Sequence, residues 1–126
     1  MTDMTKTQKH KLCLEAVVEM KEKIVNDKAV YCIERAVCLM RQWLNEHTDV
    51  SYELYDLLDN EETGFTLFQE SESDESMIAV WNCIIDAVAY VCRDVFDEFG
   101  ATHYPEPIES VDEDVFHRLL DTYKSM

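Results

Sequence analysis

Met77-Ile78-Ala79-Val80-Trp81-Asn82-Cys83-Ile84-Ile85-Asp86-Ala87-Val88-Ala89-Tyr90-Val91-Cys92-Arg93-Asp94-Val95-Phe96 is the stretch that decides the fold. Met77, Trp81, Ile84, Val88, Val91 and Val95 recur on one helical row, and Ile78, Ile85, Ala89, Cys92 and Phe96 on another. A helix apolar over so much of its circumference belongs at the centre of a domain. It is expected over residues 74–99, with Ser71 or Ser73 capping its start and Gly100 supplying a left-handed residue beyond its end. Its most apolar part, residues 77–92, is too short for a membrane span and is interrupted by Asp86, so it reads as a core helix. A carboxylate at that position needs an internal donor, for which Arg35, Arg41 and Arg93 are the candidates.

Outward from this helix the same period continues. Downstream, a connector containing Pro105 and Pro107 leads to Ser110 and Glu113, spaced as a capping box, and then to Val115, Leu119 and Tyr123 on a last helix. Upstream, Thr5 and Gln8 form another capping box before Cys13, Val17, Met20 and Ile24, which predicts a helix over about residues 5–25. Asn26 and Asp27 are good caps for a second helix with two apolar stripes, Val30, Ile33, Val37, Met40 and Leu44 beside Ala29, Cys32, Ala36, Leu39 and Trp43. Val50, Leu54, Leu57 and Leu58 predict a short third helix, while residues 60–70 read as an extended segment or folded loop. With only two glycines and two prolines, the chain lacks the punctuation of hairpins. The expectation is all-α: one compact domain, residues 1–126, of about five helices around the helix at 74–99.

Charge carries the functional signal. The net charge is −16, well beyond what solubility requires of a small domain. Residues 1–25 hold five Lys against four acids, so the excess lies after the first helix. Residues 42–92 contain twelve carboxylates and no Lys or Arg. Setting Asp86 aside as core, eleven crowd into residues 46–75: Glu46, Asp49, Glu53, Asp56, Asp59, Glu61, Glu62, Glu70, Glu72, Asp74 and Glu75. Like charges repel and oppose compaction, so this segment points to something cationic outside the chain. It disfavours direct binding of nucleic acid or anionic lipid and favours a basic protein. Tyr52 and Tyr55 flank the acids of the third helix as candidate anchors, since aromatic side chains bury much area with little entropy loss. The plain alternative is that one tyrosine packs on the core while the other is merely exposed.

Catalytic and metal signatures are weak. Residues 59–70, with Asp59, Glu61, Thr63, Gly64 and Glu70, have the spacing of a twelve-residue calcium loop, although Glu61 and Thr66 depart from the usual pattern. The competing reading is an acidic turn in which Gly64 adopts a positive φ. Glu113, His117 and Asp121 lie one turn apart, as a solvated helix face also would. His10, His47 and His103 have no recognisable partner spacing, and neither a nucleophile elbow nor a phosphate loop is present. No catalytic residue, metal or cofactor is expected. The five cysteines include no C-x-x-C pair and read as buried reduced thiols. The N-terminus has no apolar signal-like run, and a cytoplasmic location is expected.

Trp81 and Ala89-Tyr90 on an apolar helix, then Tyr104-Pro105-Glu106-Pro107-Ile108-Glu109 and Val111-Asp112-Glu113, give the second half a specific character. Over residues 77–120 the chain resembles the all-helical immunity proteins of bacterial polymorphic-toxin systems. That resemblance implies a non-enzymatic antitoxin that binds one cognate toxin domain in the producing cell and occludes or distorts its active site. Many such toxins are nucleases with basic substrate-binding surfaces, which fits residues 46–75. Two other readings stay open: a nucleic-acid mimic, because carboxylates on a helix can imitate phosphate spacing, and a calcium-binding loop protein.

Overall fold

The computed structural model describes residues 4–62 and 64–125, so Thr63 of the calcium-loop spacing and residues 1–3 at the N-terminus lie outside the described residues. Within them the chain forms α1 (Lys6–Lys21), α2 (Asp27–Glu46), α3 (Ser51–Asp59), α4 (Phe65–Glu70), α5 (Glu75–Glu98), α6 (Glu106–Glu109) and α7 (Glu113–Lys124). The all-α expectation holds, but there are seven helices rather than about five. All six other helices pack against α5. Residues 86–92, nearly two turns, are buried without interruption. By length and composition α5 resembles a membrane-crossing helix, yet its apolar rows are covered by its own neighbours.

Both extra helices come from segments that look like connectors. In α4, Phe65 and Phe68 bring their rings to Trp81 at 5.7 and 5.4 Å, and helical spacing is what lets both reach it. Gly64 has φ −65°, so the positive φ expected there is corrected. Its small size matters instead: a Cβ would lie 2.6 Å from the backbone N and O of Asn60. The connector's α6 buries Ile108 completely. Arg93 donates to the carbonyls of Ile108, Glu109 and Val111, satisfying the end of that short helix.

Caps account for most differences at helix ends. The Thr5–Gln8 box is present, as is the Asn26 cap on Ala29 N–H. α1 stops at Lys21, and the N–H groups of Glu22, Lys23 and Ile24 bond carbonyls three residues back, tightening the chain into a turn. Asp74, not Ser71 or Ser73, caps α5; its carboxylate accepts from Ser76 N–H and hydroxyl, which holds it below the usual carboxylate range. Ser71 instead closes α4. Asp112, not Ser110, caps α7 through Asp114 N–H. Gly100 has the expected left-handed backbone, φ 71°.

Asp86 is 5% exposed, as its setting requires. Its partner is none of the three expected arginines. Arg118 of α7 grips it with both ends of the guanidinium, Nε to Oδ2 at 2.9 Å and Nη2 to Oδ1 at 2.8 Å. Arg35 and Arg93 are engaged elsewhere, and Arg41 lines a surface groove with α1. Burial also corrects the cysteines: Cys13, Cys32, Cys83 and Cys92 are inside, but Cys38 is exposed because it falls in neither apolar stripe of α2. None of the five is in a disulfide; burial pushes the Cys83 and Cys92 thiols up to about 12, keeping them protonated.

Lys6 and Lys9 of α1 serve internal fastening. Lys6 Nζ lies 2.6 Å from Glu113 Oε1, 2.7 Å from the Tyr90 hydroxyl and 3.3 Å from Asp94 Oδ2. Lys9 Nζ reaches Glu113 Oε2 at 2.7 Å, and the Tyr90 hydroxyl donates to Glu113 Oε1. His10, which has no recognisable partner in sequence, is buried against Trp43 and bonded to Asp94 at 2.6 Å. Glu113 is therefore a clasp joining α1, α5 and α7, while His117 and Asp121 of the same row face solvent. Burial alone would raise the Glu113 pKa. The hydrogen bonds from Lys6, Lys9 and Tyr90 outweigh it and hold the carboxyl at about 2.

Two stability predictions follow from these pairs. Arg118→Ala leaves a buried carboxylate unpaired and is expected to cost about 3 kcal/mol in urea denaturation, whereas Asp86→Ala releases an arginine that is already 64% exposed and costs about 1–2 kcal/mol. Equal losses would contradict the assigned burden. Because the folded pKa of Glu113 is depressed from 4.5 to about 2, its stabilisation is full above pH 4.5 and disappears as pH falls toward 2. Glu113→Gln should flatten the acid limb of the stability–pH curve in that window, measured by thermal melts.

Candidate partner-binding surface

α3 presents the acidic residues because its other side is anchored. Leu54 and Leu58 point inward, and the Cys92 thiol donates to the carbonyl of Ser51 at 3.3 Å. Asp49 accepts from Ser51 N–H at 3.0 Å and from its hydroxyl at 2.6 Å, taking the capping role that Val50 cannot play. This leaves Tyr52, Glu53, Asp56 and Asp59 exposed, with Tyr55 partly covered. Tyr55 donates to Asp59 at 3.2 Å. Arg35 of α2 bridges to Glu53 at 2.8 Å, tying the two helices together at the surface.

The thirteen residues marked by the sequence do not converge on one small site. Tyr52 meets the edge of Phe96 at 5.0 Å, near the C-terminal end of α5. α4 stacks Phe68 on Trp81 and hydrogen-bonds Gln69 to Asn82, near the other end, where Asp74 caps α5 and Glu75 begins it. At about 1.5 Å per residue, Glu75 and Phe96 are roughly 30 Å apart along the helix. Asp49, Tyr52, Glu53, Tyr55, Asp56 and Asp59 thus form one group and Glu70, Glu72, Asp74 and Glu75 another. Glu61 and Glu62 occupy the turn between α3 and α4, and Glu46 closes α2. The arrangement is an acidic strip along α5.

Few of these charges are answered within the protein. Among the described residues, only Glu53 and Asp86 of the twelve carboxylates in residues 42–92 form an ion pair. The calcium-loop spacing also changes character: Asp59 ends α3, and residues 65–70 wind into α4 rather than remaining an open loop. No group of three or more His, Cys, Asp or Glu among the described residues is placed to hold a metal ion.

Two further aromatic residues share this face and were not singled out by sequence. Tyr31 is 74% exposed and Phe99 45% exposed. For Tyr31 a signal existed, since it belongs to neither apolar stripe of α2. Phe99 was hidden, because it follows Phe96 at helical spacing and so reads as core. His47 ends α2 in a left-handed backbone, φ 54°, and its Nδ1 lies 2.8 Å from Glu98, which also accepts from Trp43 Nε1 at 3.0 Å.

The family model described as Immunity protein Imm6 matches residues 5–126. No curated protein and no solved structure matches the chain. From the cap of α1 to the C-terminus, this all-helical chain belongs to the Imm6 immunity protein family.

Proposed function

We propose that this immunity protein neutralises a basic toxin domain, a nuclease, by laying its acidic strip across the toxin's substrate-binding surface and excluding substrate from the active site. The observation that carries the reading is the run of carboxylates between Glu46 and Glu75, of which only Glu53 has an ion-pair partner among the described residues, set on the outside of a helical scaffold. Charge held there without internal partners weakens the fold by self-repulsion and gains its return on encounter with a cationic surface. Nuclease substrate sites are cationic because they neutralise phosphates. The protein then acts as a plug and not as an enzyme, without a cofactor, in the cytoplasm of the cell that makes the toxin.

Electrostatic steering sets a measurable expectation. The association rate with the cognate toxin domain should fall at least about tenfold between low salt and about 0.5 M salt, followed by stopped-flow fluorescence of Trp43 and Trp81. A rate indifferent to salt would remove the steering mechanism. Displacement of DNA or RNA from several unrelated binding proteins would favour the nucleic-acid mimic over a single cognate partner.

A further inference from the structure

The acidic strip has one place where charge and exposed aromatic surface coincide. Among the described residues, the exposed large apolar side chains are Met4, Val25, Tyr31, Tyr52, Leu67 and Phe99. All three aromatic ones lie on the face made by α2, α3 and the end of α5. Tyr31 sits one turn before Arg35, and Arg35 grips Glu53, the neighbour of Tyr52. Tyr52 and Phe99 line the same cleft.

Tyr52, 67% exposed, stands as a ridge between two clefts. On one side, Arg35, Tyr52, Glu53, Asp56 and Leu57 line a depression of about 340 Å³. Its wall is apolar and its mouth is acidic. Arg35 already holds Glu53, which leaves Asp56 as the carboxylate without a cation. On the other side, Tyr52, Phe96 and Phe99 line a cleft of about 320 Å³ rimmed by Asp49 and His103.

We infer that this ridge is the energetic centre of toxin recognition, and that its occupant is a basic segment of the toxin carrying a Lys or Arg next to an apolar side chain. The cationic side chain enters the α2–α3 cleft with its stem along Leu57 and the Tyr52 ring and its charge at Asp56. The apolar side chain seats against Phe99. A long amphipathic cation matches an apolar-walled, acid-mouthed cleft. Interface energy concentrates on aromatic anchors in pockets, whereas rim charges chiefly govern encounter. The Glu70–Glu75 end of the strip, without exposed aromatic residues, therefore steers the toxin and contributes little to holding it.

This inference rests on the immunity reading, and the test separates the two. Binding of the cognate toxin domain is measured by calorimetry for affinity and by surface plasmon resonance for rates, for the intact chain and for Tyr52→Ala, Tyr52→Phe, Asp56→Asn, Phe99→Ser and the double variant Glu72→Gln/Glu75→Gln, each checked for an unchanged melting profile. Tyr52→Ala is expected to weaken binding about thirty-fold, almost all through faster dissociation. Tyr52→Phe should retain affinity, because the ring is the anchor. Asp56→Asn and Phe99→Ser should each weaken it about tenfold, while the double variant slows association and leaves dissociation unchanged. Wild-type binding that survives Tyr52→Ala intact would overturn the hot spot while sparing the immunity reading. An intact chain that neither binds nor protects cells expressing that toxin would overturn both.

Discussion

Everything in this fold depends on covering α5 from all directions. Over residues 86–92 no face of the helix is free, so no single partner helix suffices. α1 and α7 cover part of it, and α3 with α4 covers another. The two shortest helices exist to close the remaining gaps: α4 seats two phenylalanines on Trp81 and α6 buries Ile108. The surface bearing α3 is rigid because its inner side belongs to this core.

Charge is divided along the same lines. Lys6 and Lys9 of α1 are drawn to Glu113 and Asp94, and Arg118 to Asp86. The carboxylates of residues 46–75 receive almost none of them. A protein with net charge −16 thus keeps its attractive pairs for tertiary fastening and leaves its repulsive charge outside, where water and salt screen it. Exposure limits their self-repulsion and keeps these acids available to a partner.

Much of this was legible in residue order. Helical period placed the main helices, the Thr5–Gln8 box and Gly100 marked their ends, and Asp86 stood out as a buried charge. What escaped was non-local. The partner of Asp86 lies thirty-two residues away on α7, and nothing in the spacing prefers Arg118 over Arg93. His10 and Asp94 are eighty-four residues apart. Asp74 and Asp112 displaced nearby serines as caps because an ionised carboxylate is a stronger acceptor for the first N–H groups of a helix. The acidic surface was legible as composition, but Tyr31 and Phe99 joined it only through the packing of α2 and α5. Gly64 was identified as special for the wrong reason, since crowding, unlike φ, leaves no trace in a single sequence.

The Glu113 clasp has a consequence for the order in which the protein becomes whole. Lys6 and Glu113 are separated by 107 residues, so α1 is fastened by a helix synthesised long after it. At about 5–20 residues per second, α1 waits roughly 5–20 s for the α7 side of that clasp. Tyr52 and Asp56 emerge near the middle of that interval, but the α5 core that holds them in place is closed only when α7 arrives. The surface carried by α3 is therefore complete only once α7 has been made.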